Sequence, residues 1–330
     1  MLARRKFLMA GAAAAAGLTA GRAPRAADAT RTLRIGYLFS KESQLGAGAS
    51  AMADEIAKRT GGRIRLQQFP DSALGGDVEM LKGVQLGSID LAFVTGAGLP
   101  SILPDSDVFH IPFLFNSADH AHAVFDGPIG QDFLKRISAK DVVALAWGEN
   151  GMRHMTNSKH PITVPDDLKG LKMRLPQSDV MVLGFKALGA DAAMLAFPQL
   201  YAALQSGQFD GEENPIATIQ AAKFQQVQKF LTLSAHVYDP AIIVMSPDAH
   251  DDLSAEDKAI FADAAKLGAK ASRDYAAAAE KSGVATLQQA GMQVVMAIDR
   301  AQFAAAMASA TPEYERRFGH DQIDRIRATS

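Results

Sequence analysis

Short apolar runs alternate along the chain with stretches in which apolar residues return every three or four positions. Residues 32–39 read as a strand that ends in apolar residues. Residues 47–59 follow as a helix, with Met52, Ala53 and Ile56 at helical spacing and Gly61-Gly62 as the stop. A strand over 64–69 closes at Pro70. Met80, Leu81 and Val84 mark a short helix stopped at Gly87, and 91–94 is an apolar run of the buried-strand type. Strands alternating with helices predict an α/β chain whose parallel or mixed sheet is covered on both faces.

The alternation resumes after residue 160. Pro165-Asp166-Asp167 supplies turn chemistry, and 171–175 reads as extended. Ser178 is placed to cap a helix whose inward face is Val180, Leu183, Ala187 and Leu188, with Gly189 as its stop. Pro198 suits the first turn of another helix, ending near Gly207. Phe224, Val227 and Leu231 carry the helical spacing further.

Ser254 with Asp257 three residues on is a capping-box-like start, and no proline follows until after residue 290. Ile260, Ala264, Leu267, Ala271 and Tyr275 hold one apolar stripe. A continuous helix over 255–290 is about 54 Å long at 1.5 Å per residue. A 150-residue domain is only about 40 Å across. The helix therefore reads as a strut shared by two lobes, unless Gly268 and Gly283 bend or split it.

The N-terminus breaks the pattern. Arg4, Arg5 and Lys6 precede an uncharged, alanine-rich run over 7–18, and Ala27-Asp28-Ala29 has the form of a cleavage site. The layout is that of an export signal, and Arg4-Arg5-Lys6-Phe7-Leu8 resembles a twin-arginine motif. The run is too short to span a bilayer, which takes roughly 20 apolar residues. Residues 1–29 hold five basic residues and one acidic, so removing them leaves 29 basic against 35 acidic, and a net charge of −6 in place of −2. The mature protein is expected to be periplasmic. It has no basic field for nucleic acid. The chain has no cysteine, which excludes disulfides, thiolate nucleophiles and Cys-ligated metals.

Most candidate chemistry fails on spacing. Gly46-Ala47-Gly48-Ala49-Ser50-Ala51 matches G-x-G-x-x-A, but residues 40–45 separate it from the strand end where a dinucleotide fingerprint belongs. No G-x-S-x-G elbow occurs. His120 and His122, two apart, fall on different helix faces. The acidic pairs Asp251-Asp252 and Glu212-Glu213 are adjacent in sequence rather than facing, and the first reads as a solvated turn. No cofactor is expected.

Two arginines are better placed. Arg153 follows Gly151-Met152, and Arg174 stands at a predicted strand end, two residues before Pro176. A guanidinium there can line an interdomain cleft and bind a carboxylate through two parallel hydrogen bonds. The alternative for either is a surface ion pair.

The order of several segments resembles one family. They are Lys172-Met173-Arg174-Leu175-Pro176, Ala187-Leu188-Gly189-Ala190, residues 196–207 (AFPQLYAALQSG) and Asp210-Gly211-Glu212-Glu213-Asn214-Pro215. Upstream, Phe69-Pro70, Leu74-Gly75 and Ile111-Pro112-Phe113-Leu114-Phe115 look similar too. The succession resembles the DctP-type solute-binding proteins of tripartite ATP-independent periplasmic (TRAP) transporters, over essentially the whole mature chain.

The resemblance implies a two-lobed α/β periplasmic binding protein with mixed sheets, a ligand cleft between the lobes and a long helix spanning both. The expected lobes are 30–151 plus about 239–275, and 152–238 plus about 276–330. Arg174 would grip the substrate carboxylate, Arg153 would assist, Asn214 would contact ligand and Phe197 would lie against it. Glu212 stands where the family frequently has glutamine. Gln44, Thr95 and Glu149 are further candidates by position, and Phe39 and Tyr238 are candidates for an apolar wall. The expected partners are a small organic acid (a hydroxylated monocarboxylate, sugar acid or dicarboxylate) and the TRAP permease subunits, with the protein itself a monomer. The competing reading is a periplasmic enzyme exported with a cofactor through the twin-arginine route.

Overall fold

A computed structural model of the chain describes residues 30–329; the expected export signal at 1–29 lies outside the described residues. Its strands are β1 (Arg31–Tyr37), β2 (Ile64–Phe69), β3 (Leu91–Thr95), β4 (Val143–Asn157), β5 (Lys172–Leu175), β6 (Asp191–Met194), β7 (Gly211–Pro215), β8 (Phe230–Met245) and β9 (Gln293–Val295). They join in the order β2-β1-β3-β8-β4-β7-β5-β6, with β9 also on β8. Pairing is parallel at β1–β2, β1–β3, β5–β6, β5–β7 and β8–β9, and antiparallel wherever β8 meets β3 or β4 and where β4 meets β7. The sheet is therefore mixed, as the alternation of strands and helices predicts.

The two long central strands hold the halves together. The last residues of β8, Ala241 to Met245, pair with β3, while its first residues pair with β9. Likewise β4 runs along β8 from Val143 to Asn157 and pairs with β7 only from Arg153 onward. Each half keeps its own buried apolar groups. One surrounds Ile35, Phe93 and Ile243; others surround Met173 with Phe185, and Leu200 with Ile219.

Helix Ala255–Gln289 runs unbroken for 35 residues, and Ser254 caps it by accepting the Asp257 amide. Neither Gly268 nor Gly283 splits it, and Gly268 has another use. A Cβ on Gly268 would lie 2.7 Å from the Gly48 carbonyl oxygen, and one on Gly48 would lie 2.7 Å from the Gly268 carbonyl. The pair lets this helix and helix Gln44–Arg59 touch backbone to backbone, which accounts for the small-residue run at 46–51 without any phosphate. Helix Asp179–Ala187 is capped by Ser178, as its sequence predicts. One predicted element is overturned, and Leu267 and Tyr275 of the expected stripe are exposed. The Phe224–Val227–Leu231 spacing is not helical: a single turn covers Phe224–Gln226, and Leu231 lies inside β8. Residues 231–237 (LTLSAHV) alternate apolar and polar through the first half of β8, a strand period that outweighs the sparse helical spacing. No helix among the described residues is long and apolar enough to cross a membrane.

Candidate functional site

A cavity opens where the two halves of the sheet face each other. Leu38 and Phe39 follow β1, Thr95 ends β3, and Asp77 is the first residue of helix Asp77–Gln85. These meet Asn150 and Arg153 of β4, Arg174 of β5, Phe197, and Asn214 of β7. The free space at its centre is about 20 Å³, so the walls stand close together. Phe39 and Phe197, from opposite walls, meet edge to face with centroids 4.8 Å apart.

Asn150 and Arg153 both line this cavity, yet residues three apart on a regular strand point to opposite faces. The pairing of β4 with β8 shifts register between Glu149 and Gly151, and Gly151 has φ +131°. The bulge adds one residue and re-aims the strand. It brings Asn150 into the cleft and turns Glu149 away. Glu149 instead accepts bonds from His122 and, at 3.2 Å, from the Tyr238 hydroxyl. Neither Glu149 nor Tyr238 lines the cavity, which corrects the expectation that they face the ligand. Gln44 is also behind the wall. Its amide nitrogen donates to Asn150 Oδ1 at 2.6 Å and to Thr218 Oγ1 at 2.8 Å, so it supports Asn150.

The two arginines have opposite surroundings. Arg153 is saturated. Its Nε and Nη2 donate to the Glu213 carboxylate, and its Nη1 donates to Asp239 Oδ2 at 2.8 Å. Asp239 also accepts from Asn150 and contacts His110 at 3.1 Å; His110 contacts Asp107 at 3.2 Å on its other side. Burial works against a charged His110, but the bonds to Asp107 and Asp239 outweigh it and push the imidazole up to about 9. Burial likewise opposes ionisation of Glu213 and Asp239. The Arg153 charge, with the bonds from His236 to Glu213 and from His110 to Asp239, holds both below the usual carboxylate range.

Arg174 is 2% exposed and donates from Nε to the Leu195 carbonyl at 2.8 Å. Among the described residues it has no carboxylate within ion-pair distance, and its two terminal nitrogens donate to no protein acceptor. Burial lowers its pKa, and the nearby Arg153 charge adds to this, bringing it to about 10. It remains charged at neutral pH, and a buried charge without a partner is costly unless a partner arrives.

Acceptors ring the same space. Thr95 donates its amide and its hydroxyl to the two oxygens of Asp77, at 3.0 and 2.6 Å. Burial pushes Asp77 up to about 7 despite those bonds. Asn214 donates to the Glu212 carboxyl behind it. Of the residues expected from the sequence, the fold brings Arg153, Arg174, Asn214, Phe197 and Thr95 together, and leaves Gln44 and Glu149 outside the lining. Asp77 and Asn150 were not anticipated. An aspartate opening a helix reads as a response to the helix dipole, and Asn150 depends on a bulge that no local pattern announces. No group of His, Asp and Glu among the described residues is arranged to hold a metal ion.

Two α/β halves around a polar cleft, with one buried guanidinium that meets no carboxylate among the described residues, fit a solute-binding architecture. The family described as bacterial extracellular solute-binding protein, family 7 (DctP) matches residues 35–317, and the chain belongs to it. A solute-binding protein of Verminephrobacter eiseniae is 43% identical over 302 residues, 92% of this chain and 90% of that one. A TRAP periplasmic solute-binding protein from Polaromonas, solved with D-erythronate, is 44% identical with a TM-score of 0.89, covering 91% and 99% of the two chains. One from Bordetella bronchispeptica, with density interpreted as pantoate, is 42% identical with a TM-score of 0.89, covering 91% and 100%. The relatives are two-lobed transport proteins and not enzymes, which retires the exported-enzyme reading.

Proposed function

We propose that the chain is the periplasmic solute-binding component of a TRAP transporter that captures a hydroxylated monocarboxylate by pairing its carboxylate with Arg174. The observation that carries the reading is the contrast between the two cleft arginines: one is neutralised within the protein, the other is not. A dicarboxylate would ask for a second available cation, and Arg153 is already committed to two carboxylates. Hydroxyls suit the remaining wall, where Asp77, Asn150 and Asn214 supply acceptors and amide donors. The relatives solved with D-erythronate and pantoate hold acids of this kind. Hydrogen bonds to a charged group contribute about 1.5–3 kcal/mol each, so a two-bond fork supplies much of the roughly 8 kcal/mol of micromolar affinity.

The cleft closes because a bound acid contacts both walls, so ligand favours the closed form by its extra contacts there. The lobes are 30–151 with about 239–275, and 152–238 with about 276–330, hinged on β4 and β8. An export signal is removed near Ala29, and the loaded monomer docks on the membrane permease subunits. Calorimetry against D-erythronate, galactonate and succinate tests the reading. A hydroxylated monocarboxylate should bind at least tenfold more tightly than succinate, about 1.4 kcal/mol. Tighter succinate binding would overturn the ligand class, and retained affinity in Arg174→Ala would overturn the role of the arginine.

A further inference from the structure

Behind Asn214 lies a chain of polar groups that is one proton short. Glu212 and Thr156 are fully buried, and Gln228 nearly so. Thr156 Oγ1 stands 2.6 Å from Glu212 Oε1 and 3.3 Å from Gln228 Oε1. The orientation of the Gln228 amide is set by its Nε2, which donates to the Val227 carbonyl at 2.9 Å. The other oxygen of Glu212 accepts from the Asn214 amide. Thr156 thus has one hydroxyl proton and two oxygens waiting for it. If Glu212 is a carboxylate it takes that proton, and Gln228 Oε1 is left buried without a donor. If Glu212 is a carboxylic acid, it donates to Thr156, Thr156 donates to Gln228, and every contact is satisfied. Leaving one such acceptor buried and unpaired carries its full desolvation penalty.

We propose that Glu212 is held as a neutral acid in the ligand-free protein near neutral pH and is the proton-linked element of ligand capture. Glu212 does not line the cleft; it positions Asn214 and sets the charge behind Arg174. The charged groups acting on it are Glu213 on its own strand, Arg153 on β4 and Arg174 on β5. It has no cation within ion-pair distance among the described residues. Consistently, burial pushes it up to about 7, against the bonds from Thr156 and Asn214. When it is neutral, one fewer protein anion competes with the ligand for the Arg174 charge. When it ionises, a second anion stands behind the site and opposes the incoming carboxylate. By linkage, an anionic ligand draws a proton onto Glu212, and affinity falls as pH rises. The capture step rests on the ligand reading above; the neutral acid does not.

The test has two arms. In ligand-free protein labelled with carboxyl-13C glutamate, which leaves Asp77 silent, one glutamate should titrate between about pH 6 and 8. That signal should be absent from Glu212→Gln. If no glutamate titrates above about pH 6, the proposal is overturned, and the wild-type titration decides this even if the variant does not fold. In the second arm, D-erythronate is titrated by calorimetry in buffers of different ionisation enthalpy. Wild type should lose about three- to tenfold affinity between about pH 6 and 8.5 and take up a proton fraction on binding. Glu212→Gln should lose less affinity than wild type over this range, with cleft-lining Asp77 carrying the remainder, and take up measurably fewer protons; equal uptake in both proteins overturns the proposed link. If no acid binds at any pH, the ligand reading fails, and the glutamate titration still decides this inference.

Discussion

Arg153 and Arg174 line one cavity, are equally buried, and are opposite in kind. Arg153 is the centre of a network through Glu213, Asp239, His110 and Asp107 that ties β4, β7 and β8 together where the halves of the sheet join. Arg174 has a carbonyl on Nε and an empty fork. A buried guanidinium with its carboxylates beside it belongs to the fold. One that meets no carboxylate among the described residues is the candidate to take an anion from outside. Burial alone does not tell the two apart; the accounting of partners does.

The sharpest way to break the contrast is to truncate Arg153. Arg153→Met leaves Glu213 and Asp239 buried without the guanidinium that neutralises them, which should cost about 3–5 kcal/mol of stability in urea denaturation. A variant as stable as wild type would show that Arg153 is not structural. The same network predicts a pH effect. The folded pKa of His110 lies above its unfolded value, so its contribution is complete below about pH 6.5 and is lost as pH rises through about 9. Melting curves should show stability falling over that window by up to about 3 kcal/mol. Asp77 and Glu212, both raised to about 7, add to the decline up to neutrality. In His110→Gln the decline between about pH 7 and 9 should disappear; a decline of unchanged size would exonerate the histidine.

Arg174 should behave in the opposite way. Arg174→Ala should lower organic-acid affinity at least tenfold, about 1.4 kcal/mol, with the unliganded melting temperature unchanged or raised because an unpaired buried charge is gone. Arg174→Lys should also bind weakly, since an ammonium cannot reproduce the fork. A lysine variant with full affinity would reduce the site to a point charge. The smallest effects sharpen the boundary of the cleft. Asn150→Ala should weaken binding several-fold by removing about one neutral hydrogen bond, whereas Glu149→Gln should change it by less than about twofold. The reverse ranking, by calorimetry, would mean that the β4 bulge does not set the lining.

Much of this was legible in the residues. Caps at Ser178 and Ser254, the strand 64–69 and the proline-free stretch after 254 announce their elements because those signals act within a turn or two of the chain. Arg174 could be chosen because a strand end and the proline that follows place it at a cleft. Leu231 fits a helical spacing with Phe224 and Val227, but the apolar–polar alternation over 231–237 marks the strand, and three spaced residues are too few to outweigh it. Asn150 lines the cavity in place of Glu149 because a single extra residue in β4, visible only against β8, reverses which side chain faces the cleft.

What the sequence determined by itself is therefore local and ordinal: the elements, their order, the family pattern, and which few residues were chemically able to hold an acid. Only the tertiary structure decided which of two similar arginines is free. That depends on Glu213 and Asp239, 60 and 86 residues from Arg153 along the chain, closing on one guanidinium and not on the other. The physical reason is that charge availability is a property of neighbours in space, and the chain brings those neighbours together only by folding.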